Sequence, residues 1–165
     1  NINVDSGLIL ECGCGPAINR HFFQNEYIGI DINSKYIDSA KIKYPNDKFY
    51  VCEIENIENL NLMNVSNVLV IGLLHHLNDE QCKNLFKSLE KILTSNGKIY
   101  TLDPVFIPKQ RRIAKFLAKK DRGNFVRKKE QYLALVGSNF ETESLILNNQ
   151  LRVPYDHLFL IIHKN

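Results

Sequence analysis

Several acids in this chain close apolar runs, three of them within its first 53 residues. Glu11 ends Leu8-Ile9-Leu10, Asp31 ends Tyr27-Ile28-Gly29-Ile30, and Glu53 ends Phe49-Tyr50-Val51-Cys52. Gly13 and Gly15 follow Glu11, and Asp31 stands twenty positions after it. Glycines let a backbone turn sharply and approach a ligand closely. An acid closing the second of two strands is placed to accept hydrogen bonds from a ribose diol. The pattern points to an adenosine-type cofactor site at the carboxyl ends of parallel strands. Gly13-x-Gly15 alone is weak evidence, and a full dinucleotide fingerprint fails because Ile18 fills its third glycine position. A second candidate cluster is His75-His76, which follows a fourth apolar run. A base or hydrogen-bonding group would act there. Support of the loop is the competing role for both histidines.

These residues need a framework of alternating strands and helices. Strands are expected at 7–12, 26–31, 48–53, 66–72 and 98–103. Helices are expected at 16–24, with Pro16 in the first turn, and from Ser34 to about Lys43, stopped by Pro45. The clearest helix is 79–94. Asn78 and Gln81 form a capping-box pair, and Cys82, Leu85, Phe86, Leu89, Ile92 and Leu93 make one apolar face before Asn96-Gly97. The crossover at 54–65 is short. Alternation of this kind calls for a parallel sheet with right-handed crossovers. Residues 105–137 read as helical, starting near Pro108 and ending at Gly137. Strands at 140–147 and 158–163 leave no room for a crossover helix, so they should pair antiparallel.

The chain has 165 residues, 44% of them hydrophobic and 24% charged, which fits one globular domain spanning 1–165. No apolar run approaches a membrane span, and no targeting segment is evident. Cys12, Cys14, Cys52 and Cys82 lack the spacing of a zinc or disulfide framework, so no metal is expected, and a reducing cytoplasm fits best. About six residues precede the first strand. Either the chain continues before Asn1, or residues 105–137 supply the whole cover of the site.

With these motifs the chain resembles the class I S-adenosylmethionine-dependent methyltransferases, of the small-molecule type, over nearly its whole length. Glu11-x-Gly13-x-Gly15 is similar to that family's first motif and Gly29-x-Asp31 to its second-strand acid. Val70–Leu77 resembles the fourth-strand segment, and Leu93–Ile99 the leader into strand five. The resemblance implies a Rossmann-like α/β sheet of seven strands in the order 3-2-1-4-5-7-6, with strand seven antiparallel and helices on both faces. It implies S-adenosylmethionine as cofactor. Glu11 would favour its ammonium, Gly13 and Gly15 would offer backbone groups to the methionine tail, and Asp31 would accept the ribose hydroxyls. Ile32 would pack on adenine, Glu53 would accept from the adenine amine, and the Ile54 amide would donate to the ring. Gly72 and Leu73 complete the cofactor set. Ala17 stands where the family usually has a third glycine, so a slightly tighter pocket is expected.

Charge is concentrated in one segment. Residues 105–130 carry ten Lys and Arg against Asp121 and Glu130, a surplus of eight. The chain as a whole is +3, which leaves −5 for the remainder. A solvated helix face is one reading; attraction of an anionic acceptor is the other. Arg111, Arg112, Arg127 and Tyr132 are the candidate acceptor contacts. The expected activity is methyl transfer to a small-molecule or glycan-like, anionic acceptor. The alternatives are a methyltransferase of RNA or other nucleic acid, supported by the basic run alone, and a non-catalytic partner that retains the cofactor.

Overall fold

The computed structural model describes residues 4–120, 123–148 and 156–164. Strands β1 (Ile9–Cys12), β2 (Tyr27–Asp31), β3 (Lys48–Val51), β4 (Val65–Ile71) and β5 (Leu93–Phe106) run parallel. A two-residue strand, β6 (Arg127–Lys128), pairs with the end of β5 at Val105 and Phe106. β7 (Phe140–Asn148) and β8 (Asp156–Lys164) form a hairpin, and β8 lies antiparallel between β5 and β7. The sheet order is β3-β2-β1-β4-β5-β8-β7, with β6 off this path. This is the expected topology plus one short strand.

Helix α1 (Ser34–Lys43) covers one face, where Ile37 and Ala40 meet Ile9, Tyr27 and Phe49. Its cap is Asn33, whose side chain accepts from the Lys35 amide, so Ser34 is the first helical residue rather than the cap. Helix α2 (Asp79–Ile92) covers the other face with the expected apolar stripe, and Asn78 and Gln81 make the capping box in both directions. α2 ends at Ile92, two residues short of the reading. The chain becomes extended at Leu93, which pairs with Val65, and 94–97 loop out before pairing resumes at Lys98 with Asn67.

Two helices read from the sequence are not formed as expected. Segment 16–24 contains only a 3₁₀ turn at Arg20–Phe22. Gly15 and Ala17 both sit at positive φ, 53° and 54°, which a right-handed helix cannot contain. Segment 105–137 is not one helical insertion. Val105 and Phe106 continue β5, helix α3 spans Arg112–Lys120, β6 follows, and α4 is Lys129–Leu133. Lys109 at φ 57° turns the chain after Pro108, so α3 starts at Arg112. The crossover at 54–65 is a 3₁₀ helix, Ile54–Leu60, closed by Asn61 at φ 49°.

Candidate active site

The carboxyl edge of β1 and β2 is organised around Asp31. Its Oδ2 accepts the Gly15 amide at 2.8 Å and its Oδ1 accepts the Asn33 amide at 2.8 Å. The carboxylate is therefore fixed before any ligand arrives. Gly13 and Cys14 both donate their amides to the Ile30 carbonyl, at 2.8 and 2.9 Å. Three successive amides of the turn are thus committed within the protein. The Gly13 and Gly15 amides are therefore taken up within the protein, while the positive φ and small size of both glycines remain. A Cβ on Gly13 would lie 3.1 Å from Leu73, so the turn after β1 and the loop after β4 touch where only a glycine fits comfortably. Gly29 is equally constrained, since its Cβ would press on Phe49 and on the Cys14 sulfur. Ala17 is buried and keeps the left-handed backbone that a glycine would favour there.

Glu11 is buried rather than open to the edge. Its Oε1 accepts from Asn19 Nδ2 at 2.7 Å and its Oε2 from the Tyr27 hydroxyl. Burial pushes its carboxyl above the ordinary range, more than these two hydrogen bonds pull it down. Arg20 lies beside this group. It stacks over Tyr27 at 5.2 Å and grips Asp47 with two nitrogens, at 2.5 and 2.9 Å. Asn19 and Tyr27 are site-wall residues that the sequence reading missed; no local pattern marks them.

The β4 edge carries the histidines. Gly72 sits at φ 66° and donates its amide to Leu102. A short 3₁₀ turn, Leu74–His76, follows. Asp103, at the end of β5, accepts both the His75 amide at 3.1 Å and His75 Nδ1 at 2.7 Å. That pairing fixes the ring's orientation. The His75 side is packed under the Gly123 backbone, where a Cβ would lie 2.1 Å from the ring. His76 is exposed, with its ring 4.2 Å from that of His75. Asp103 is buried, and its Oδ2 has no hydrogen-bond partner among the described residues.

The remaining candidates divide. Ile32 is 67% exposed at the edge beyond Asp31. Glu53 is exposed at the start of the 3₁₀ helix, and Ile54 is half-buried beside it. Arg111 and Arg112 are exposed. Arg127 and Tyr132 do not reach solvent as acceptor contacts should, which corrects both. Arg127 is 6% exposed. Its guanidinium donates to the carbonyls of Leu74 at 2.9 Å, Phe125 at 2.9 Å and Leu77 at 2.7 Å, and it pairs with Asp79 at 2.7 Å. Tyr132 is buried and donates to the Pro104 carbonyl at 3.0 Å. Both hold the β4 loop and the β5 end together.

Residues 9–97, more than half of the chain, match the family described as a methyltransferase domain. The chain belongs to that family, the class I S-adenosylmethionine-dependent methyltransferases, and is an enzyme of that kind. Among solved structures it is similar to an S-adenosylmethionine-dependent methyltransferase from Methanosarcina mazei, at 15% identity and TM-score 0.77, over 99% of this chain and 94% of that one. It is similar to geranyl diphosphate C-methyltransferase from Streptomyces coelicolor A3(2), at 10% identity and TM-score 0.71, over 98% and 74%. A cyclopropane synthase from Mycobacterium tuberculosis matches at 12% identity and TM-score 0.73, over 98% and 80%. No curated protein matches the sequence. The residues present fit the family's cofactor, S-adenosylmethionine. The space beside Gly15, where an added Cβ would meet nothing within 4 Å, makes a cradle, and Asp31 is fixed as an acceptor at its rim. No helix among the described residues is long and apolar enough to cross a membrane.

Proposed function

We propose that the enzyme transfers a methyl group to a small, anionic acceptor, either a small molecule or a glycan-like one, from an adenosine site centred on Asp31. The observation that carries this is the Asp31 carboxylate, preset by two backbone amides at the end of β2. Its remaining lone pairs suit a ribose diol. Ile32 and Ile54 supply apolar surface for the adenine, and Glu53 an acceptor for its amine. Glu11, buried and committed to Asn19 and Tyr27, would serve the methionine ammonium by fixing this wall of the site rather than by direct contact. The carbonyl edge of the Gly13–Gly15 turn suits the same ammonium. Gly72 and Leu73, on the loop after β4, would complete the set of residues that hold the cofactor. S-adenosylmethionine supplies an electrophilic methyl carried on a sulfonium.

The chain's own part is then mainly orientation, which is worth roughly 7–11 kcal/mol of barrier when a nucleophile is held in line. Asp103 sets the tautomer and direction of His75, which together with His76 flanks the acceptor side of the cradle. Residues 1–165 are read as one methyltransferase domain, and the free, buried cysteines suit a reducing cytoplasm. Recognition of nucleic acid rests on the basic segment alone. Calorimetry tests the reading. S-adenosylhomocysteine should bind, and Asp31→Ala should weaken it by roughly 1.5–3 kcal/mol, the range of hydrogen bonds to a charged group. Preference for a nicotinamide dinucleotide would overturn it.

A further inference from the structure

A pocket of about 550 Å³ lies beyond the end of β5, under α3. Phe106, Ile107, Pro108 and Ile146 give it apolar walls. Lys115 and Lys119 enter it from one stripe of α3, while Ala114 and Ala118 seat that helix on the protein. Lys128 and Lys129, at β6 and the start of α4, also line it. Among the described residues of the wall Glu130 is the one acid, so their charge is +3. Gln110 also lines it. The amide nitrogen of Gln110 is fixed to the Val105 carbonyl at 2.9 Å, and its buried Oε1 has no hydrogen-bond partner among the described residues.

From this we infer that the pocket binds the acceptor, and that the acceptor is an amphiphilic anion: an apolar body against Phe106, Pro108 and Ile146, and a phosphate-like or carboxylate head among the four lysines. This rests on the methyl-transfer reading above. The pocket is joined to the candidate active site by covalent and hydrogen-bonded neighbours. Phe106 lies three residues past Asp103, the partner of His75, which is about 10 Å along a strand. Lys128 pairs with Phe106 and follows Arg127, the residue that holds the 74–77 turn. Mixed apolar and cationic walls favour an amphiphilic anion over a polynucleotide, which needs stacking surface along a continuous groove.

Calorimetry on the full chain separates the outcomes, using decyl phosphate, ethyl phosphate, inorganic phosphate, decyl glucoside and a single-stranded RNA octamer as probes. Decyl phosphate should bind best. It should exceed ethyl phosphate by roughly fiftyfold or more, which burial of three methylenes already gives. Lys119→Gln with Lys128→Gln should weaken it roughly tenfold, the effect of two partly exposed charges. S-adenosylhomocysteine affinity should be unchanged in that variant, which also reports that it is folded. Binding of S-adenosylhomocysteine without decyl phosphate overturns the pocket assignment and leaves the methyl-transfer reading standing. Failure of S-adenosylhomocysteine to bind the parent chain overturns that reading instead. Equal affinity for decyl glucoside, tighter binding of the RNA, or no effect of the lysine substitutions also overturns the assignment.

Discussion

Glu11 shows how a residue can be read correctly in position and differently in state. Its place at the end of β1 follows from the apolar run before it. Its burial follows from two side chains, Asn19 and Tyr27, that no spacing rule brings to it. Because burial raises its folded pKa above 4.5, the folded chain keeps a proton that the unfolded chain loses once pH exceeds that value. The group's contribution to stability is full below that point and declines as pH rises through the folded pKa. Glu11→Gln presents the same neutral shape, with its amide nitrogen towards the Tyr27 oxygen and its carbonyl towards Asn19. The unfolding midpoint of the parent should fall relative to that of the Gln variant as pH is raised from about 4 towards 7, and the two should converge below 4.5. Circular-dichroism melts across this range check it; parallel curves would mean that Glu11 ionises freely in the fold. Asp103 carries the same signal as the other acids, a carboxylate closing an apolar run. Its role was missed because only the tertiary fold shows that His75 is its partner.

Among the elements, Arg127 decides more than the helices do. Its guanidinium ties the carbonyls of Leu74 and Leu77 to that of Phe125, so the loop after β4 and the segment before β6 form one unit. Arg127→Lys cannot span those carbonyls and Asp79 with a single ammonium. Stability should drop by about 2–4 kcal/mol, the loss from unpaired buried groups. S-adenosylhomocysteine affinity should fall with it, because Leu73 leans on Gly13 from that same loop. Urea unfolding and calorimetry read the two effects. An unchanged stability with only a weaker acceptor interaction would return Arg127 to the role expected from sequence. Legibility follows the range of the forces that set each element. α2 was evident because its stripe and capping box are local, and the antiparallel end of the sheet because no crossover fits before β8, whereas the full strand order came from the family resemblance. Segments 16–24 and 105–137 were misread because single residues at positive φ, Ala17 and Lys109, broke patterns that composition suggested. The extension of β5 to Phe106 depends on β6, a partner more than twenty residues away in sequence.

At the scale of the whole molecule, charge is the property that distinguishes the chain. Residues 105–130 carry a surplus of eight against −5 elsewhere. The structure splits that surplus by function. Arg127 is consumed inside the fold, four lysines line the pocket, and Arg111 and Arg112 are exposed at the start of α3. The exposed pair is not part of the described pocket wall, so the contribution expected of it is a long-range field. Such a field raises the rate of encounter with an anion more than the lifetime of the complex. Arg111→Gln with Arg112→Gln should therefore leave stability within about 0.5 kcal/mol of the parent, as for most surface changes. S-adenosylhomocysteine affinity should be unchanged. Stopped-flow mixing with decyl phosphate should show a several-fold slower association at low salt and nearly the same dissociation rate. Raising salt to physiological strength, where exposed charges are screened beyond about 8 Å, should bring the two proteins together. If association of the parent is insensitive to salt, or the substitutions act on dissociation alone, the surplus charge is not steering and the two arginines are simply a solvated face.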